Sequence, residues 1–222
     1  MEIRTAFHKK LREIQEDILA MGNMVSKAIL RSIEALKNRD LTMAKQIIAD
    51  DQKINQKRFE IEEKCIQLIA TQQPMAGDLR VIVAVLNIIV ELERIGDYAE
   101  GIAKITIMIG DEPPLKPLID IPRMADKTVD MLARSLNAFI KGDAVSAKTI
   151  ALEDDFVDEL YNQVFRELLV FMMEDPRTVT RATRLIWVAH DLERSADRVT
   201  NICERVVYAV TGKMEEIGGS TY

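Results

Sequence analysis

The sequence predicts an all-α protein made of two tandem, repeated three-helix bundles with six long helices. Three observations predict this class. The 222 residues are 48% hydrophobic, 30% charged and only 5% aromatic, and they are rich in residues that favour helices. The six prolines are confined to three places, which leaves long stretches without a helix breaker. Finally, motifs in the first half of the chain recur in the second half.

Apolar residues recur every three or four positions in these stretches, as they do on one face of a helix. In the first stretch they are Ile14, Ile18, Met21, Val25, Ile29, Ile33 and Leu36. Asp40 and Asp143 each precede such a run and are predicted to cap a helix. The run 81–90 is apolar nearly all round, which is typical of a helix buried on several sides or facing another protomer. The predicted helices span residues 3–38, 41–72, 77–109, 122–141, 144–174 and 178–211.

The segment "GDEPPLKPLIDIP" separates the two repeats, because it contains four of the six prolines. On either side of it, "ELERIGDYAEGIA" aligns with "DLERSADRVTNIC" and "NRDLTMAKQIIADD" with "KGDAVSAKTIALEDD". We therefore expect four segments: a first three-helix bundle at 1–110, a Pro-rich linker at 111–121, a second three-helix bundle at 122–214 and a C-terminal tail at 215–222.

Charge and cysteine content exclude several classes of function. The net charge is −6 and no basic block is present, so nucleic acid is not an expected partner. Cys65 and Cys203 lie within helical patterns, which favours buried reduced thiols and a cytoplasmic protein. The N-terminus lacks the apolar run of a secretory signal, and the run 81–90 is too short for the ~20 residues of a membrane-spanning helix. The sequence thus predicts a soluble cytoplasmic protein.

Two repeated heptapeptides, "ELERIGD" (91–97) and "DLERSAD" (191–197), place carboxylates on one face of a helix. Glu93 and Asp97 are four residues apart, as are Glu193 and Asp197, so each pair is close in space. Their neighbours in sequence are largely apolar, and burial of repelling carboxylates is costly without a compensating charge. A cation is therefore expected beside each pair, either a side chain or a metal ion.

The preceding helix of the first repeat carries a second polar pair, Asp51 and Asn55. If the two helices form an antiparallel hairpin about Pro74, Asp51 lies level with Asp97 and Asn55 with Glu93. Four oxygen-bearing side chains then meet at one height.

The second repeat shows the same arrangement. Asp154 is expected level with Asp197, and Asp158 level with Glu193, around a turn at 175–176. Carboxylate and amide oxygens, with no histidine or thiolate nearby in the pattern, favour a hard cation or a cluster of cations.

Other interpretations of these residues stay open at this stage. Arg94 and Arg194 could neutralise the acids as a surface ionic network. His190 could be an outer partner of the second motif or an ordinary packed histidine; a ferritin-like di-iron site would need a Glu-x-x-His motif, which the chain lacks. Trp187 is expected in the core.

The chain resembles the PhoU family over essentially its whole length. The resemblance rests on the two heptapeptides together with "ADDQKIN" (49–55), "QPMAGDLR" (73–80), "EDDFVDE" (153–159) and "MMEDPR" (172–177). It implies repeated three-helix bundles that bind iron or another divalent or trivalent metal, in some members as multinuclear clusters. Transferred position by position, the implied ligands are Asp51, Asn55, Glu93, Asp97, Asp154, Asp158, Glu193 and Asp197, with Glu100 and Asn201 as outer ligands. Asn55 stands where the family motif has Asp, so we expect weaker binding in the first repeat.

The resemblance also implies a function. Family members couple the ATPase subunit of the phosphate ABC transporter to the phosphate sensor histidine kinase, and they negatively regulate phosphate uptake and the starvation response. A homodimer without catalytic residues, peripheral to the membrane through its partners, is expected. The alternative is a carboxylate-bridged metal-dependent enzyme, an oxidase or a phosphoesterase. No histidine is among the predicted ligands, which favours the regulatory adaptor.

Overall fold

A computed structural model describes the backbone of residues 2–217 and the side chains from residue 7 onward. The last residues of the predicted tail, 218–222, lie outside the described part. Helix is the dominant element, and no strand occurs within residues 2–217. The helices are α1 (Glu2–Asn38), α2 (Leu41–Gln72), α3 (Ala76–Ile109), α4 (Asp120–Lys141), α5 (Ala144–Ala151), α6 (Asp154–Glu174) and α7 (Val179–Thr211), with a 3-10 turn at Pro176–Thr178.

The predicted fold class is confirmed: the chain is all-α, with two repeats of three helical segments. One predicted helix is wrong in detail, since the segment expected at 144–174 is broken at residues 152–153 into α5 and α6. At this break the carboxylate of Glu153 pairs with Lys127 and with Arg134, whose Nη1 lies 2.9 Å from Oε1. The turn directs Glu153 toward α4. No proline or glycine near residue 153 predicts this break, because it accompanies a long-range contact.

The predicted helix caps are confirmed. The Asp40 side chain accepts a hydrogen bond from the backbone N–H of Met43 at 2.8 Å, and Asp143 accepts one from Ser146 at 2.9 Å. Each cap partners one of the free N–H groups at the start of its helix. These caps allow α2 and α5 to begin three residues after the last residue of the preceding helix.

The two repeats share one continuous hydrophobic core. Helix α3 packs against α1 and α2 of its own repeat and also against α7, while α1 packs against α4. This explains the apolar run 81–90 within one protomer, because α3 is covered on several sides; Ile82, Val85 and Ile88 are fully buried. The Trp187 prediction is wrong, since its side chain on α7 is 50% exposed.

Candidate metal centre

The eight predicted ligands lie on four helices, in two groups. Asp51 and Asn55 are on α2, which forms a hairpin with the helix α3 that carries Glu93 and Asp97. Helices α6 and α7 form the corresponding hairpin of the second repeat, and they carry the other four. All eight residues are partly buried, which matches the apolar surroundings of the motifs.

In the second repeat the four carboxylates are close enough to repel one another. Burial, followed by the neighbouring charges of Asp158, Asp197 and Glu193, raises the pKa of Asp154 to about 7. Burial and then the charges of Asp197 and Asp158 raise the pKa of Glu193 to about 7. The hairpin brings these side chains to one level, as the sequence spacing predicts, and leaves them short of positive charge.

Three oxygens of this group are buried without a hydrogen-bond partner: Oδ1 of Asp154, Oδ1 of Asp158 and Oε2 of Glu193. Buried carboxylate oxygens of this kind are costly unless a cation or a donor compensates them. Arg194 pairs with Asp197, with Nη1 3.6 Å from Oδ2, and its charge opposes the raised pKa of Glu193 without cancelling it. The ionic-network alternative therefore leaves most of the second group unpaired, and the residues fit a metal ion.

The carboxylates are not yet arranged around a single point. Among the described side chains, residues 7–217, no three His, Cys, Asp or Glu side chains stand together as a ready coordination group. Binding an ion would therefore require rotations of these side chains toward a common point.

The first repeat is built differently. The Asn55 amide donates a hydrogen bond to Oδ2 of Asp51 at 2.9 Å, while Oδ1 of Asp51 is buried without a partner. Burial and then the charges of Glu100 and Asp97 raise the pKa of Asp51. Glu100, predicted as an outer ligand, thus lies beside Asp51, although it also accepts a hydrogen bond from Lys104 at 2.6 Å. A cavity of about 180 Å³ borders Asp51 and Glu100.

Glu93 has an internal cation that the sequence analysis missed. Nη1 of Arg58 lies 2.9 and 3.0 Å from the two carboxylate oxygens of Glu93. The position equivalent to Arg58 in the second repeat is Tyr161, so Glu193 has no matching arginine. With Asn55 neutral and Glu93 paired, the first repeat has less uncompensated negative charge than the second.

Asn201, the other predicted outer ligand, lies where the two repeats meet. Its amide donates a hydrogen bond to Oε2 of Glu91 on α3 at 3.2 Å, and Arg198 approaches the same oxygen at 3.5 Å. The structure therefore gives Asn201 a partner in the opposite repeat.

Comparison with known proteins gives matches over most of the chain. The PhoU domain model matches residues 18–106 and 121–206. A phosphate-specific transport system accessory protein PhoU homolog from Aquifex aeolicus is 40% identical over 206 residues, covering 93% of each chain. The Escherichia coli phosphate-specific transport system accessory protein PhoU is 35% identical over 214 residues, or 96% of this chain and 89% of that protein.

Solved structures match equally well. The crystal structure of PhoU from Pseudomonas aeruginosa superposes with a TM-score of 0.87 at 35% identity, covering 93% of this chain and all of the other. The phosphate transport system regulatory protein PhoU from Streptococcus pneumoniae gives a TM-score of 0.88 at 32% identity, covering 95% of this chain. In the part of the chain that the structure describes, no helix is long and apolar enough to cross a membrane.

Proposed function

The chain belongs to the PhoU family, and from this membership we propose that it regulates phosphate homeostasis in the cytoplasm as an accessory protein of phosphate transport. The observation that carries the proposal is the match over nearly the whole chain to relatives named phosphate-specific transport system accessory proteins. These relatives are named as accessory proteins and not as enzymes, so the chain is a regulatory protein and the oxidase or phosphoesterase alternative is set aside.

In the proposed mechanism, the protein contacts the ATPase subunit of the phosphate ABC transporter and the phosphate sensor histidine kinase. By coupling the two it represses phosphate uptake and the starvation response when phosphate is plentiful. The shared core supports this role, because the two repeats pack together around it as one unit. A homodimer is part of the same proposal.

We further propose that the acidic groups hold iron or another divalent or trivalent metal, with multinuclear clusters as one form. The ligands would be Asp154, Asp158, Glu193 and Asp197 in the second repeat, and Asp51, Asn55 and Asp97 with Glu93 in the first. A bound ion would neutralise the clustered charge and join α6 to α7. The three unpartnered oxygens of the second group support stronger binding there.

The partner proposal is tested by binding. Purified full-length protein is mixed with the transporter ATPase subunit and, separately, with the cytoplasmic part of the sensor kinase, and complex formation is measured by light scattering. We expect a complex with both partners. Absence of binding to either one, from protein whose circular dichroism confirms the helical fold, would contradict the coupling mechanism.

A further inference from the structure

His190 lies beside the most acidic part of the second repeat. It precedes Glu193 by three residues on α7, and its Nδ1 is 3.2 Å from Oε2 of Glu193. This oxygen is one of the buried atoms without a hydrogen-bond partner, and its approach to Nδ1 is an ion pair only when His190 is protonated. A neutral imidazole has one ring nitrogen with a free lone pair, which can bind a metal ion.

This geometry matches two adjacent ligand atoms of one ion. With metal–ligand bonds of ~2.0–2.2 Å, two ligands near a right angle or a tetrahedral angle lie roughly 3–3.5 Å apart. The 3.2 Å distance between Nδ1 of His190 and Oε2 of Glu193 falls within this ligand–ligand range. Asp197 lies about two turns beyond His190 on the same face of α7.

The surroundings of His190 would hold its ring while leaving access for an ion. Its side chain is 52% exposed, and its ring lies 6.1 Å from that of Tyr161 at an interplanar angle of 47°. Tyr161 is on α6, so the imidazole lies at the same junction of α6 and α7 as the four carboxylates.

The first repeat lacks this arrangement. Val90 occupies the position equivalent to His190, and Arg58 that of Tyr161. Arg58 neutralises Glu93 directly, as described above. The two repeats therefore differ in donor chemistry: the first offers oxygens and an internal cation, the second oxygens and a nitrogen.

We propose that His190 supplies an imidazole nitrogen to a metal ion held by Glu193, and that the second repeat therefore selects transition-metal ions over Mg²⁺ and Ca²⁺. The inference rests on the proposed metal-binding role of the second repeat. Imidazole nitrogen suits Zn²⁺, Fe²⁺, Ni²⁺ and Cu²⁺, whereas Mg²⁺ and Ca²⁺ take oxygen ligands. A single nitrogen ligand adds selectivity, and it does not make the protein an enzyme.

Nuclear magnetic resonance can test the bond itself, because the chain has only two histidines. Untagged, metal-free protein labelled with ¹⁵N in its histidine rings would be titrated with Zn²⁺. The His8→Gln variant assigns the signals and serves as the control. We expect Zn²⁺ to shift the Nδ1 resonance of His190 and to leave that of His8 unchanged.

A second measurement compares affinities in wild type and in His190→Val, which copies the residue of the first repeat. Loss of even an outer partner of a metal ligand weakens binding about 10–100-fold, so Zn²⁺ affinity should fall at least about tenfold. Affinity for Mg²⁺ should change by less than about twofold, since that ion takes oxygen ligands.

The results distinguish failure of the histidine ligand from failure of the proposed metal binding. If Zn²⁺ binds in a way that Glu193→Gln abolishes, but the His190 resonance does not shift and His190→Val binds Zn²⁺ as wild type does, the nitrogen ligand is refuted and the carboxylate site stands. If wild type binds no Zn²⁺, Fe²⁺ or Mn²⁺ at all, both proposals are refuted.

Discussion

Gly101 of α3 faces Asp191 of α7 where the two repeats meet, and a methyl group added to Gly101 would lie 2.9 Å from Oδ2 of Asp191. At the positions equivalent by the repeat, the amide of Asn201 on α7 donates a 3.2 Å hydrogen bond to Glu91 on α3. Of these two related contacts between α3 and α7, one is thus a hydrogen bond and the other is close packing. Burial alone raises the pKa of Asp191 to about 7.

We predict that Gly101→Ala destabilises the protein relative to Gly77→Ala. Both substitutions replace glycine within α3, but an added methyl on Gly77 meets nothing within 4 Å. Gly77→Ala should therefore stabilise by about 0.5–1 kcal/mol. Gly101→Ala must displace the Asp191 carboxylate, so part or all of that stabilisation should be lost. Urea denaturation measures both; equal stabilisation by the two variants would show that the crossing is loosely packed.

Arg58→Tyr, which copies the residue of the second repeat, should strengthen metal binding in the first repeat. It releases Glu93 from its cation, and a charge-assisted pair contributes about 1.5 kcal/mol, or about tenfold in affinity. The measurement is calorimetric titration with Mn²⁺ in an Asp154→Asn/Glu193→Gln background. Lys64→Gln, which removes an ion pair with Asp17, is the control. Unchanged Mn²⁺ affinity would mean that Glu93 is not a ligand.

Metal-free protein should lose stability as the pH rises through about 7. The pKa values of Asp154 and Glu193 are about 7 in the folded state, so the folded protein binds protons more tightly than the unfolded chain. Their contribution is fully present below the unfolded pKa of about 4 and is lost as the pH rises through 7. Asp154→Asn should therefore increase the free energy of unfolding of chelator-treated protein more at pH 8 than at pH 5. An equal gain at both pH values would show that the carboxylate does not titrate as described.

Both thiols should be unreactive in the folded protein. Burial raises the pKa of Cys65 and of Cys203 to about 12, and both side chains are 0% exposed. Since the thiolate is the reactive form, a disulfide reagent at pH 8 should modify them only as fast as the protein unfolds. The reaction is measured by the absorbance of the thiol that the reagent releases. Rapid modification in the absence of urea would contradict the buried positions of the two cysteines.

The repeated motifs and the apolar periodicity were sufficient to predict the fold class and all of the long helices except the one that is broken at residues 152–153. Helical spacing places Glu193 and Asp197 on one face, and a hairpin of two straight helices brings Asp154 beside them. The predicted caps followed from the side-chain chemistry of Asp40 and Asp143. These features depend on local periodicity, which is fully contained in the sequence.

Features that depend on tertiary contacts were missed. Arg58 lies 35 positions from Glu93 and belongs to no repeated motif, so no spacing indicates that the two pair. The break at Glu153 arises from contacts with α4, and the half-exposed Trp187 depends on which face of α7 lies against α3. His190 precedes its motif by one position and was recognised only as a candidate outer partner, because the approach of Nδ1 to Glu193 depends on its rotamer.

Metal content of two matched variants tests whether the second repeat is the stronger site. Asp51→Asn/Glu93→Gln and Asp154→Asn/Glu193→Gln would be purified untagged beside wild type, loaded with Fe²⁺ or Zn²⁺ without oxygen, dialysed, and analysed for bound metal by mass spectrometry. We predict that the first-repeat variant retains tightly bound metal and that the second-repeat variant loses it. Equal retention in both variants, or no bound metal in wild type, would contradict the prediction.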